Sequence, residues 1–230
     1  MVLAMSPTGR QLVLEIAPRP AFGREDFLVS PSNEAAFAHL ETWPGWPDPV
    51  TLLVGQGGVG KSHLAAVWAR AASATILSPG DLRTLPPHGP VLVDDAHLLR
   101  DETALFHLIN LVGERGTSLL LTASRTPENW PVRLPDLLSR LRRATRIEIA
   151  PPDDDLIRAV LVKLLIDRQL LVDTSVVEYI ARRIDRSLDA AREIVRRLDV
   201  EALSGGRRIS RGLAAEVLRD APPDQDQERH

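Results

Sequence analysis

Gly55-Gln-Gly-Gly-Val-Gly60-Lys61-Ser62 fits the spacing G-x-x-x-x-G-K-[ST], which grips a phosphate tail. Gly55, Gly57, Gly58 and Gly60 permit backbone turns, with Val59 between them, in which successive N–H groups converge on phosphate oxygens. The helix start that follows adds its positive dipole end. Lys61 supplies a compact ammonium for the β- and γ-phosphates of ADP or ATP, and Ser62 a hydroxyl for Mg²⁺. Only Lys61 and Lys163 are lysines in a chain with 28 Lys+Arg, so a lysine retained at this place fits a point charge better than a guanidinium fork. Further along, Val91-Leu-Val-Asp94-Asp95 ends an apolar run in two carboxylates. After a phosphate loop, Asp94 reads as a holder of the Mg²⁺ shell and Asp95 as the group that orients or deprotonates an attacking water. The competing reading is a helix N-cap before Ala96.

These residues need a scaffold, and the hydrophobic pattern supplies one. Short apolar runs at 50–54, 75–77, 91–94, 118–122 and 146–149 read as strands. They alternate with helical stretches at 61–72, 102–115 and 135–142, which predicts a parallel α/β sheet of five strands with helices on both faces. Ser30-Pro-Ser-Asn33 precedes a further short helix over 34–43. After Pro151-Pro152 the period changes to one of helices only, with apolar faces through Ile157–Leu164, Val177–Ile184 and Leu188–Leu198. The expected organisation is a loosely held arm over 1–26, an α/β base over 27–150, a small helical lid over 151–220 and a polar, disordered tail over 221–230.

Composition narrows the function classes. The hydrophobic fraction of 44% excludes global disorder, and a net charge of −3 disfavours coating nucleic acid by bulk charge. The chain has no cysteine, which excludes disulfides and thiolate metal sites. No apolar run reaches the roughly 18 residues that span a bilayer, and the N-terminus lacks a signal-like core, so the expected compartment is the cytoplasm, with no membrane partner.

With both motifs placed, the chain resembles the DnaA/Hda family of AAA+ proteins from about Phe27 to Leu198. Phe27-Leu-Val29-Ser-Pro-Ser-Asn33 is similar to the family's entry motif beside the adenine pocket, and Gly60-Lys-Ser-His63-Leu64 to its phosphate loop, His63 included. Leu121-Thr-Ala-Ser124-Arg-Thr-Pro127 resembles the sensor 1 strand end, with Ser124 where the family usually has Asp. Ser139-Arg140-Leu141 is similar to the motif that carries the arginine finger, and Arg186-Ser-Leu-Asp189 to the lid motif, which makes Arg186 the candidate sensor 2. From the residues alone, His63 and His97 read as packing or surface residues, and Trp43, Trp46, Trp68 and Trp130 as core or loop anchors.

The resemblance implies nucleotide binding, with an arginine finger in Arg140. Residues 221–230 are too few for a DNA-reading helix domain, so direct sequence-specific DNA binding is disfavoured. Gln11-Leu12-Val-Leu14-Glu-Ile16 resembles the short peptide that docks on the β subunit sliding clamp of DNA polymerase; from pattern alone an edge strand competes with it. Together these features resemble the regulatory branch of the family. That branch is tethered to the clamp and promotes hydrolysis of DnaA-bound ATP, with weak ATPase activity of its own. Rival expectations are a stand-alone ATPase of helicase-loader or transposition-helper type that forms homo-oligomers, and a structural adaptor.

Overall fold

The computed structural model describes residues 24–82 and 88–220. The candidate clamp residues Gln11, Leu12, Leu14 and Ile16, and the 221–230 tail, lie outside the described residues. At the end of the arm, Arg24–Asp26 forms a 3-10 turn rather than a loose extension, because Arg24 Nε donates to Glu41 Oε1 at 3.0 Å.

Five strands, β1 (Val50–Val54), β2 (Thr75–Leu77), β3 (Val91–Val93), β4 (Leu119–Ala123) and β5 (Thr145–Glu148), form one sheet in the order β2-β3-β4-β1-β5. Every pairing is parallel, with Val54 opposite both Ala123 and Glu148, and Val93 opposite Leu121. β1 and β4 are buried along their whole length, which explains why they read as unbroken apolar runs rather than alternating ones. The period of two still sorts their side chains. Val50, Leu52 and Val54 join Leu119 and Leu121 in one core with α3 (Glu102–Arg115) and α4 (Pro135–Arg143). Leu53, Leu120 and Leu92 point the other way, into a core with α1 (Glu34–Glu41) and α2 (Lys61–Ala71).

Pro151-Pro152 separates this layer from α5 (Asp154–Asp167), α6 (Thr174–Ala181), α7 (Leu188–Gly205) and α8 (Arg211–Arg219), which close on an apolar core of their own. Side chains cap the start of each of the four, Asp173 Oδ1 accepting from Ser175 N at 2.8 Å before α6. Asp153 Oδ1 accepts from Leu156 N at 2.7 Å, Ser210 Oγ from Leu213 N at 3.3 Å, and Ser187 Oγ from Asp189 N at 3.2 Å. Each such cap contributes about 1 kcal/mol. The tryptophans are anchors, as their sequence positions suggest: Trp68 and Trp130 are buried, Trp46 stacks on Trp68 at 5.2 Å, and Trp43 Nε1 donates to Ser118 Oγ at 3.1 Å. Among the described residues no helix is long and apolar enough to cross a membrane.

The topology fixes where chemistry can happen. Strands β3, β4 and β1 are neighbours and parallel, so their carboxyl ends open side by side, with Asp94, Ser124 and the Gly55–Ser62 loop following directly. Ligands of open α/β sheets bind at this edge. Leu120, fully buried at the centre of β4, holds that edge from below. Leu120→Ala is expected to destabilise the protein by about 2–5 kcal/mol in urea unfolding, because the sheet and α2 leave the cavity little room to collapse.

Candidate functional site

The loop leaves β1 with Gly55 N donating to Ala123 O at 3.1 Å, and it ends where Gly60 passes the chain into α2. Two of its glycines are required by shape. Gly58 and Gly60 have φ of +71° and +100°, and a Cβ on Gly58 would stand 2.0 Å from Ser187 Oγ. Val59 is buried in the core beneath α2, so it anchors the loop to the base. Lys61 is 5% exposed, and its Nζ donates to Gln56 O at 2.7 Å, which folds the ammonium back over the loop. Burial pushes its pKa down, while Asp95, Asp94 and Asp189 pull it back up.

Ser62 Oγ donates to Asp94 Oδ1 at 3.1 Å, and Thr122 Oγ1 donates to the same oxygen. Thr122 Oγ1 in turn accepts from Asp95 N at 2.8 Å. This chain joins the start of α2 to the ends of β3 and β4 in one network. It holds Asp95 at φ +52°, a left-handed conformation that a non-glycine residue adopts at a cost. Asp95 precedes the 3-10 turn Ala96–Leu98, yet its side chain makes no cap hydrogen bond, so the simple N-cap reading fails.

Ser124 lies beyond β4, where His97 Nε2 meets its Oγ at 2.8 Å. His97 is buried, which lowers its pKa; Asp95 opposes that effect, and Arg125 and Lys61 reinforce it. Sequence reasoning missed both Thr122 and His97 as members of the site. A hydroxyl inside a strand otherwise apolar on both faces needs a hydrogen-bond partner, and that signal was present in Leu119-Leu-Leu-Thr-Ala123.

The entry segment clips base and lid together. Phe27 stacks on Phe37 at 5.6 Å and meets the edge of His63 at 5.5 Å, inside the base core, whereas Leu28 packs on the lid core. Val29 is exposed. Buried Asn33 secures this turn, with Nδ2 donating to Leu28 O and Oδ1 accepting from Ser30 N, both at 3.0 Å. From the lid, Leu188 N donates to Gly58 O at 2.7 Å, so the start of α7 rests on the phosphate loop itself.

Two predicted arginines lie apart from this cluster. Arg186 is exposed and pairs with Asp154 of its own helical unit at 3.1 Å. Arg140 is exposed on α4 and joins no loop residue by a hydrogen bond or ion pair among the described residues. Its neighbours Arg142 and Arg146 are drawn to Glu128, at 3.8 and 3.9 Å.

No protein-family model matches the chain. In sequence it is similar to the chromosomal replication initiator DnaA of Enterococcus faecalis, 30% identical over 134 residues that cover 56% of this chain and 30% of the relative. It is also similar to DnaA of Thermomicrobium roseum, 24% identical over 246 aligned positions covering 92% and 53% of the two chains. The chain thus spans about half or less of the length of these relatives. In fold it matches domain III of Thermotoga maritima DnaA, with a TM-score of 0.76 at 22% identity, over 87% of this chain and 97% of that one. It matches the RuvB branch-migration motor of Thermotoga maritima at a TM-score of 0.68 and 17% identity, over 86% and 71%. A replication initiator DnaA bound to AMPPCP and single-stranded DNA aligns at 0.67 and 18%, over 81% and 67%. In sequence the chain is similar to part of DnaA, and its fold is that of DnaA domain III.

Proposed function

We propose that the chain is an Hda-like regulator: a nucleotide-bound protein, tethered to the sliding clamp, that promotes hydrolysis of ATP on DnaA. The observation that carries the reading is the bond from Ser62 to Asp94 beside the buried Lys61, at the sheet edge of a chain similar in sequence to DnaA. Backbone amides of Gly57–Ser62 would hold the phosphates of ADP or ATP, Lys61 would neutralise them, and Phe27 and Val29 would border the base. The paired hydroxyl and carboxylate of Ser62 and Asp94 are hard oxygen donors of the kind Mg²⁺ takes beside phosphate oxygens. When bound, Mg²⁺ would withdraw charge from those oxygens.

The regulatory part of the reading draws support from Arg140. It is exposed and unpaired among the described residues, while Glu128 draws on Arg142 and Arg146. A guanidinium held out in this way suits a γ-phosphate on another protein, here DnaA. The clamp tether rests on Gln11, Leu12, Leu14 and Ile16 in the sequence alone. A second reading, a self-sufficient ATPase acting as a homo-oligomer, is favoured by the intact Ser62–Asp94–Thr122 network beside Asp95. Steady-state turnover in the absence of DnaA separates the two.

In the regulator, Lys61→Ala lowers affinity for a fluorescent ADP by roughly 30-fold or more, since a phosphate charge loses its partner. Unchanged binding would sink the phosphate-loop assignment. Arg140→Ala keeps nucleotide affinity but cuts stimulation of DnaA hydrolysis by about 10³-fold; normal stimulation would remove Arg140 from that role. Retention on immobilised clamp disappears in Gln11→Ala, and equal retention of both proteins would end the tether assignment.

A further inference from the structure

The lid presents a carboxylate to the glycine loop, the opposite charge to the one that phosphates attract. Leu188 N donates to Gly58 O at 2.7 Å, so the backbone at the start of α7 delivers the next residue, Asp189, to the loop. A Cβ on Gly58 would stand 3.3 Å from Asp189 Oδ2. The other oxygen, Oδ1, accepts from Arg192 Nη1 at 2.7 Å, within α7 itself. One carboxylate oxygen is thus engaged by the helix and the other borders the loop backbone. Arg186, which begins the same lid segment, is paired with Asp154 at 3.1 Å and does not offset this charge.

We propose that Asp189 is a built-in competitor of the nucleotide, a negative charge on the lid that opposes the phosphates at the Gly55–Ser62 loop and weakens the protein's hold on ADP. This inference rests on the nucleotide reading above. It goes further by giving the lid a residue that limits affinity.

A carboxylate in the first turn of a helix also offsets the helix dipole, and in that simpler role Asp189 would serve α7 alone. The dipole asks only for negative charge in the turn. It does not ask for an oxygen against Gly58, where the absence of a side chain is what lets the lid come so close. Asp189 acts, with Asp94 and Asp95, on the charge of Lys61. Phosphate oxygens on the loop would draw on the same single ammonium, and like charges that share one cation repel each other. The Asp189 side chain is 67% exposed, so water and salt screen that repulsion to the scale of a surface charge pair.

The test is calorimetric titration of the whole chain with ADP and Mg²⁺, at low and at high ionic strength, for the wild type, Asp189→Asn, Asp189→Ser and Asp136→Asn. The last removes an exposed acid on α4 and controls for net charge. The expected result is that both Asp189 variants bind ADP about two- to fivefold more tightly than the wild type at low ionic strength. That gain fades at high ionic strength, and Asp136→Asn binds as the wild type does. A role confined to the helix dipole would lower the melting temperature and leave affinity unchanged. Unchanged or weaker ADP binding in the Asp189 variants, a gain that survives high salt, or an equal gain in Asp136→Asn overturns the inference while leaving nucleotide binding intact. A wild type that does not bind ADP overturns the proposed function and this inference with it. Should Asp189→Asn fail to fold, Asp189→Ser decides the question.

Discussion

The hydrogen-bonded chain from Ser62 through Asp94 to Thr122 ties the start of α2 to the ends of two neighbouring strands, β3 and β4, and the rest of the site is arranged around it. Parallel strands leave their terminal carbonyl and amide groups facing one edge, where no further strand can satisfy them. Here Gly55 N uses Ala123 O, Ile149 N uses Val54 O, and Asp95 N uses the Thr122 hydroxyl. A buried hydroxyl in an apolar strand is costly unless both its functions are engaged, and Thr122 engages both, as donor to Asp94 and acceptor from Asp95. The carboxylates at this edge are therefore placed by the interior of the sheet. Loop packing alone would leave them free to wander.

The lid is tied to the same edge through the glycine loop. Ser187 begins α7 by capping Asp189 N and Ala190 N, and it stands against Gly58, where no side chain can fit. One residue thus sets the start of a helix and the height of the lid above the loop. The next residue, Leu188, donates its amide to Gly58 O. Any movement of the loop carbonyl is felt at once by the N-terminus of an 18-residue helix whose inner face forms much of the lid core. Leu28 and Phe27 make the companion link on the entry side, one in each core.

The fold was legible to the extent that periodicity and punctuation express it. The alternation of short apolar runs with helical stretches gave all five strands within a residue or two, and α3 came out at 102–115 as observed, because Asp101 and Gly116 mark its ends chemically as well as by pattern. The glycine loop after β1 was legible as a tight turn because its geometry demands particular residues, with Gly58 and Gly60 at positive φ. Other parts were hidden for physical reasons. His97 is one imidazole among six histidines, and only the tertiary approach of the β4 end to the turn after β3 gives its nitrogens partners. Arg186 carries a motif resemblance, yet its pairing with Asp154 depends on how α5 and α7 meet, which local sequence does not encode. The left-handed backbone at Asp95 was equally invisible, since aspartate is common both at caps and at strand ends.

The chain's near-exclusive use of arginine gains a structural meaning from the contrast between Lys61 and Arg140. Lys61 is buried, and burial lowers its pKa, a shift that Asp95, Asp94 and Asp189 oppose. A compact ammonium tolerates that place, because one of its three rotatable donors meets Gln56 O. Arg140 meets the opposite condition. Leu137 and Leu141 bury the inner face of α4, which directs Arg140, Arg142 and Arg143 outward. The Glu128 contacts to Arg142 and Arg146 are exposed and long, too weak to hold the fold. They are enough to bias two guanidinium groups toward the protein's own surface, leaving Arg140 turned to solvent with its planar fork intact. A buried positive charge and an exposed one are thereby given to different residue types.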